Sequence, residues 1–297
     1  MMLFALYACL LLPSGPLRPQ APAAPAAPAA PAAPAAISYL AEWPKPAAKD
    51  QLMTDIERLV KARTEEMGKL AYEALQKCGD SAVPFLLDRY GKEKDEGAHE
   101  RMQSLLIELI RPEHSRLLAK RFASAQLHER TLAMWRAGLH NDPQIRPQAE
   151  AALAKVEKQG EKADEFERYA AALVATASGS MQGLDELMST AQKRWDKHGR
   201  EIHLALRGVR GAEAAGIVSK GLADPERKAK VAALRLLSGC GDKSALPAIK
   251  PLLDSDDNSL RVAAINALRG IVDGADPLPE LSAFEAIEMA KKWKERL

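Results

Sequence analysis

Residues 241–254 read GDKSALPAIKPLLD and residues 257–268 read DNSLRVAAINAL. Together they contain a turn, a helix, a second turn and a second helix. Gly241-Asp242 is turn chemistry, and Pro247 stands in a first helical turn, where its missing N–H costs nothing. Asp257 is placed to cap the next helix. Behind it Leu260, Ala264, Ala267 and Leu268 fall on one face at helical spacing. The alanines in that stripe allow a neighbouring helix to approach closely. Neither helix can cover its apolar face alone, so the segment must lie against other copies of itself.

Such copies are present. Residues 79–88 read GDSAVPFLLD, with the Gly-Asp turn, the early proline (Pro84) and the double leucine in the same order. The second element has the form Asp-x-x-apolar-Arg-x-x-Ala-x-x-Ala-Leu. It recurs with identical spacing at Asp142, Ile145, Arg146, Ala149, Ala152 and Leu153, and more loosely at residues 226–237. Gly211 aligns with Gly241 and Val231 with Val262, a unit of about thirty residues, which is the period of stacked helical hairpins.

These residues resemble HEAT repeats, specifically the short bacterial kind also seen in phycobilin lyases. The resemblance covers residues 79–110 and 142–153 in patches and 211–271 well. It implies an all-α fold without a sheet: an α-solenoid of stacked antiparallel helix pairs in a right-handed superhelix, the second helix of each pair lining the concave side. It implies little about function, because such arrays serve many roles.

Outward from the repeats, Leu52, Ile56, Leu59, Met67, Leu70 and Ala74 place one long capping helix over residues 47–78. Divergent repeats follow over 79–210 and well-matched repeats over 211–297. Ser282-Ala283-Phe284-Glu285 is a capping box that opens a closing helix. Ahead of the array, Pro22, Pro25, Pro28, Pro31 and Pro34 recur every third residue within an Ala-Pro linker assigned to 21–46. Polyproline II has three residues per turn, so these rings share one edge of an extended rod. Residues 1–20 resemble an export signal. The apolar run Leu3–Leu12 is too short to span a bilayer, although no Lys or Arg precedes it. An exported, periplasmic or extracellular protein is expected, without a transmembrane span in its mature form.

The 42 basic and 40 acidic residues nearly cancel, so the basic excess of a nucleic-acid binder is missing. Of three cysteines, Cys78 and Cys240 occupy matching places in distant repeats and are expected as free, half-buried thiols. Cys-x-x-Cys and His-Glu-x-x-His motifs, nucleophile elbows and phosphate loops are all lacking, and no catalytic residue and no cofactor is expected. One constellation competes with that reading. His99-Glu100 and His128-Glu129 stand 29 residues apart, similar to the His-Glu pairs through which the HEAT-repeat enzyme deoxyhypusine hydroxylase binds two irons. Two pairs are half of that ligand set. The competing structural reading puts His99 and His128 in the slot of Arg261, where HEAT repeats use a polar side chain to bridge neighbouring units. Arg207, Arg210, Lys228, Lys230, Arg235, Arg261 and Arg269 recur along the last units and form a candidate interaction face. Trp135, Trp195 and Trp293 are expected in the core. The sequence therefore points to a scaffold that binds a protein or peptide partner. A metal-dependent enzyme and a purely structural envelope spacer are the alternatives.

Overall fold

The computed structural model describes residues 37–278 and 280–297. The described residues form an α-solenoid with no strand. The helices are α1 (Lys49–Val60), α2 (Glu65–Cys78), α3 (Val83–Tyr90), α4 (Glu96–Leu109), α5 (Ser115–Ala119), α6 (Leu127–Ala137), α7 (Arg146–Gln159), α8 (Glu165–Ala177), α9 (Leu184–Leu206), α10 (Ala212–Ser219), α11 (Arg227–Cys240), α12 (Leu246–Ile249), α13 (Asn258–Leu268) and α14 (Ala283–Arg296). Hairpins α3/α4, α5/α6, α7/α8, α10/α11 and α12/α13 stack in chain order, flanked by the α1/α2 pair and by α14.

Helix α9 supplies one further hairpin. Its backbone leaves helical geometry at Arg194 (φ −142°, ψ 36°). Before that point Gly183 lies against Ala172 and Arg194 pairs with Glu165 at 2.6 Å, so residues 184–193 run back along α8. After it, His198 stacks on Phe166 and Gly208 reaches Ala177, so residues 195–206 run parallel to α8. The second helices α6, α8, 195–206, α11 and α13 make the broad contacts between units. The first helices chiefly touch their own partners and the adjoining turns. The second helices are the more closely packed layer, and hence the inner one.

Local chemistry explains the starts of these helices. Asp95 accepts from the Ala98 N–H at 2.8 Å, Asp164 from Glu167 at 2.9 Å and Asp257 from Ser259 at 2.8 Å. Each answers a donor left open by the first turn. Pro84 and Pro247 lie in first turns, and Ser282 with Glu285 closes the capping box of α14. In α13 Ala264, Ala267 and Leu268 are fully buried, while Leu260 is half-buried.

One device recurs four residues after the cap. Arg130 donates to the Ala125 carbonyl at 3.0 Å, Arg168 to Ala163 at 3.1 Å and Arg261 to Ser255 at 2.6 Å. Each guanidinium ties down the turn that precedes its own helix. At Arg168 and Arg261 these bonds stay within the hairpin and not between units as expected for Arg261, whereas Arg130 also reaches Glu167 of the next unit; in α6 the slot belongs to Arg130 rather than His128.

Coupling between units comes from elsewhere. Arg101 donates to the Leu59 and Val60 carbonyls, Arg136 to Ile107 and Ile110, and Arg210 to Gly270 and Ile271. These cations meet open carbonyls at the C-terminal ends of neighbouring helices, where the helix dipole also favours positive charge. Glu167, almost fully buried, holds Arg130 of the preceding unit at 2.5 Å.

Three glycines explain how closely the inner helices approach. Gly208, Gly239 and Gly270 are spaced 31 residues apart. A Cβ on Gly208 would overlap the Thr176 and Ala177 carbonyls, and one on Gly270 the Ser238 carbonyl; on Gly239 it would sit 2.8 Å from the Leu206 Cβ. Each glycine is the point where one inner helix rests on the last.

Four sequence expectations are corrected. Residues 47–78 are two helices, because Thr64 caps α2 through the Met67 N–H after a break at 61–64; Met67 and Leu70 are consequently 50% and 64% exposed. The Ala-Pro linker does not extend to residue 46. Tyr39 lies under the Arg116 guanidinium at 3.9 Å, Trp43 meets the His114 ring at 4.9 Å, and Leu40 N–H bonds Glu113. Residues 37–46 therefore dock on the α5 hairpin. The Asp142–Leu153 match is a first helix, α7, not a second: a cap and an apolar stripe specify where a helix starts and which face it buries, and are silent on the layer it joins. Finally, Cys240 is fully buried and only Cys78 half-buried, both thiols being free. The export signal and residues 21–36 of the linker lie outside the described residues.

Two measurements test this packing. Gly270→Ala is expected to lower unfolding stability by about 1–3 kcal/mol through overpacking, although alanine is the better helix former. Gly216→Ala, at an exposed position in α10 with open space around it, is expected to raise it by up to about 1 kcal/mol. Urea titration of the two variants checks both signs.

The second concerns pH. Burial, then Arg136, pushes the His140 imidazole down to about 4, and burial likewise lowers His114 despite Asp80 beside it. These rings stay neutral in the fold while the unfolded chain takes up protons. Their contribution is therefore complete above the ordinary value of 6.5 and is lost as pH falls from there towards about 4. The melting temperature is expected to drop across that window, and His140→Gln to flatten the drop.

Candidate functional site

A groove of about 850 Å³ opens on the inner layer. Its floor crosses three consecutive second helices: 195–206, α11 and α13. Trp195, Arg200 and His203 come from the first, with Arg207 just past its end, Val231 and Arg235 from the second, Val262 and Asn266 from the third. One wall is the non-helical strap between α13 and α14, through Asp276, Pro277, Leu278, Glu280 and Leu281.

The strap is held at two places. The Asn266 side-chain amide donates to the Leu278 carbonyl at 3.2 Å while its oxygen accepts the Leu278 N–H at 2.9 Å, a two-bond grip on backbone alone. Asp276 meets Arg207 at 3.3 Å and lies 3.8 Å from His203; Arg269 donates to its carbonyl. Burial, then Arg207, lowers the His203 pKa, so this imidazole is neutral near pH 7 and Arg207 carries the charge. Beyond the strap, Arg235 stacks on Trp195 with 5.0 Å from its guanidinium carbon to the ring centroid. Arg200 is exposed, and neither Arg200 nor Arg235 has an ion-pair partner among the described residues.

The structure thus divides the seven expected face residues. Arg207 and Arg235 line the groove. Arg207 and Arg269 hold the strap, and Arg210 and Arg261 are committed to carbonyls. Lys228 is exposed and Lys230 half-buried, and neither lines the groove. Trp293 is buried as expected. Trp195 is half-buried and forms part of the groove floor, not of the core interior.

A second inner feature went unread in the sequence. Glu201 accepts from the Trp135 indole at 3.0 Å and the Tyr169 hydroxyl at 2.5 Å, and lies 3.1 Å from His198 Nδ1. One carboxylate thereby joins α6, α8 and 195–206, reaching past the intervening unit. Burial, then the Glu201 charge, raises the Tyr169 pKa, so its hydroxyl keeps its proton and donates.

His99 and His128 do converge: the rings meet edge-on at 4.5 Å, with His99 stacked on Tyr90 at 3.9 Å. Their glutamates do not follow. Glu129 is buried and bonded to Arg121 at 2.7 Å and Ser124 at 2.5 Å, while Glu100 points to solvent. Among the described residues no group of three or more His, Cys, Asp or Glu is arranged to hold a metal. The pair is an aromatic contact between successive hairpins.

A family model described as HEAT repeats matches residues 217–285. The match begins in α10, covers α11 to α13 and the strap, and ends in α14, so it contains the repeats that most clearly matched each other. No curated protein matches the chain. No helix among the described residues is long and apolar enough to cross a membrane.

The Glu201 hub is testable by stability. Glu201→Leu leaves buried donors on Trp135 and Tyr169 without an acceptor, each costing about 1–3 kcal/mol. Urea unfolding is expected to show that loss, and adding Tyr169→Phe to recover part of it. Equal stability of Glu201→Leu and the unsubstituted chain would remove the hub from the account.

Proposed function

We propose that this chain is an exported HEAT-repeat scaffold without catalytic activity, and that it binds a protein or peptide partner through its inner layer. The observation that carries the reading is the groove across three second helices. Arg200 and Arg235 stand in it without an ion pair among the described residues, beside the half-buried Trp195 and with Asp196 as the one carboxylate of the helical lining. Aromatic and arginine side chains are the types that dominate interface energies, and here helices rather than loops hold them. HEAT repeats generally serve as interaction scaffolds, and the match over residues 217–285 falls on this part of the array. Export rests on the apolar run Leu3–Leu12.

The test is capture of a partner from the source organism's envelope fraction by residues 37–297 and two charge-reversal variants. Arg200→Glu lies in the groove and Lys228→Glu outside it, and both side chains are exposed, so the fold is expected to tolerate each. Capture is expected to fall by about tenfold or more with Arg200→Glu and to persist with Lys228→Glu. Equal capture by all three proteins would place the partner elsewhere.

A further inference from the structure

We infer that the inner groove takes an extended acidic peptide of a partner protein, laid beside the strap across Trp195, with its carboxylates on Arg200 and Arg235. This rests on the scaffold reading and names the ligand class for it. The strap supplies the first argument, because it is a non-helical segment already seated on these helices. Asp276 and Leu278 each precede a proline in the sequence, which biases both towards extended backbone. Asn266 grips the backbone of Leu278 with two bonds and so holds an extended chain whatever its side chains. Arg207 then selects a carboxylate, that of Asp276.

Charge supplies the second argument. The helical walls of the groove contribute Arg200, Arg207 and Arg235 against Asp196, while the strap contributes Asp276 and Glu280. The strap answers only the Arg207 end. At the other end of this groove of about 850 Å³, Arg200 is exposed, and Arg235, stacked on an indole, bonds one carbonyl, that of Ala191, and no carboxylate among the described residues. Guanidinium groups pair with carboxylates in a planar two-bond geometry, and the exposed part of the Trp195 ring offers an apolar rest for the residue between them. An acidic segment in extended conformation fits the charge of that opening.

The experiment uses residues 37–297 and a labelled decapeptide of sequence DGADPLPELS, which repeats the strap chemistry in trans, followed by anisotropy. Saturable binding is expected, weakened by added salt. Arg200→Glu, and separately Arg235→Gln, are expected to weaken it about tenfold or more. A neutral decapeptide with Asn and Gln replacing the acids is expected to bind weaker by a similar factor. Absence of saturable binding up to about 1 mM, or equal binding of the neutral peptide, overturns the inference. If partner capture still depends on Arg200 in that case, the scaffold reading stands and only the ligand class falls.

Discussion

The array depends on inner helices that touch one another at glycines. Gly208, Gly239 and Gly270 each sit where a side chain would strike the preceding second helix. That contact sets the distance between units, and it shuts water away from the helix ends beside it. Carbonyls left open at those ends must then find partners within the protein. The arginines that reach across units, Arg101, Arg136 and Arg210, meet that need, as does Asn141, whose amide bonds Ala177 of α8 and Leu204 and Ala205 of α9. Packing and hydrogen bonding form a single spine along the inner C-terminal ends.

The inner helices also carry the distinctive side chains. Residues 195–206 serve two neighbours at once. Their Glu201 and His198 face α6 and α8, while Trp195, Arg200, His203 and Arg207 face the groove. The groove floor is therefore anchored through the Glu201 network to units on its far side. A binding surface set on packed helices in this way keeps its geometry without paying to order itself.

Much of the fold was legible because caps and stripes are local. Asp257 and Ser282 announce helix starts within four residues, and the alanine-leucine stripes say which face is buried. What could not be read was the neighbour. Asp142 opens a first helix and Asp257 a second with the same spacing, since the layer is decided by the hairpins on either side. The break between α1 and α2 was signalled by Thr64 followed by two glutamates, a cap that the continuing run of apolar residues obscured. The groove was harder. Charge alone could not separate Arg210, spent on carbonyls sixty residues away, from Arg200, which meets solvent. Asn266 and Leu278 are only twelve residues apart, but a lone asparagine on a helix carries no mark of the backbone that it will hold.

The docking of residues 37–46 bears on how force enters the molecule. Tyr39 and Trp43 rest on Arg116 and His114, and Leu40 bonds Glu113, whereas α1 begins only at Lys49. Tension applied ahead of residue 37 is therefore delivered first to the α5 hairpin, in the body of the stack. The end pair α1/α2 is by-passed until those contacts yield, which shields the terminal helices from being peeled off one at a time.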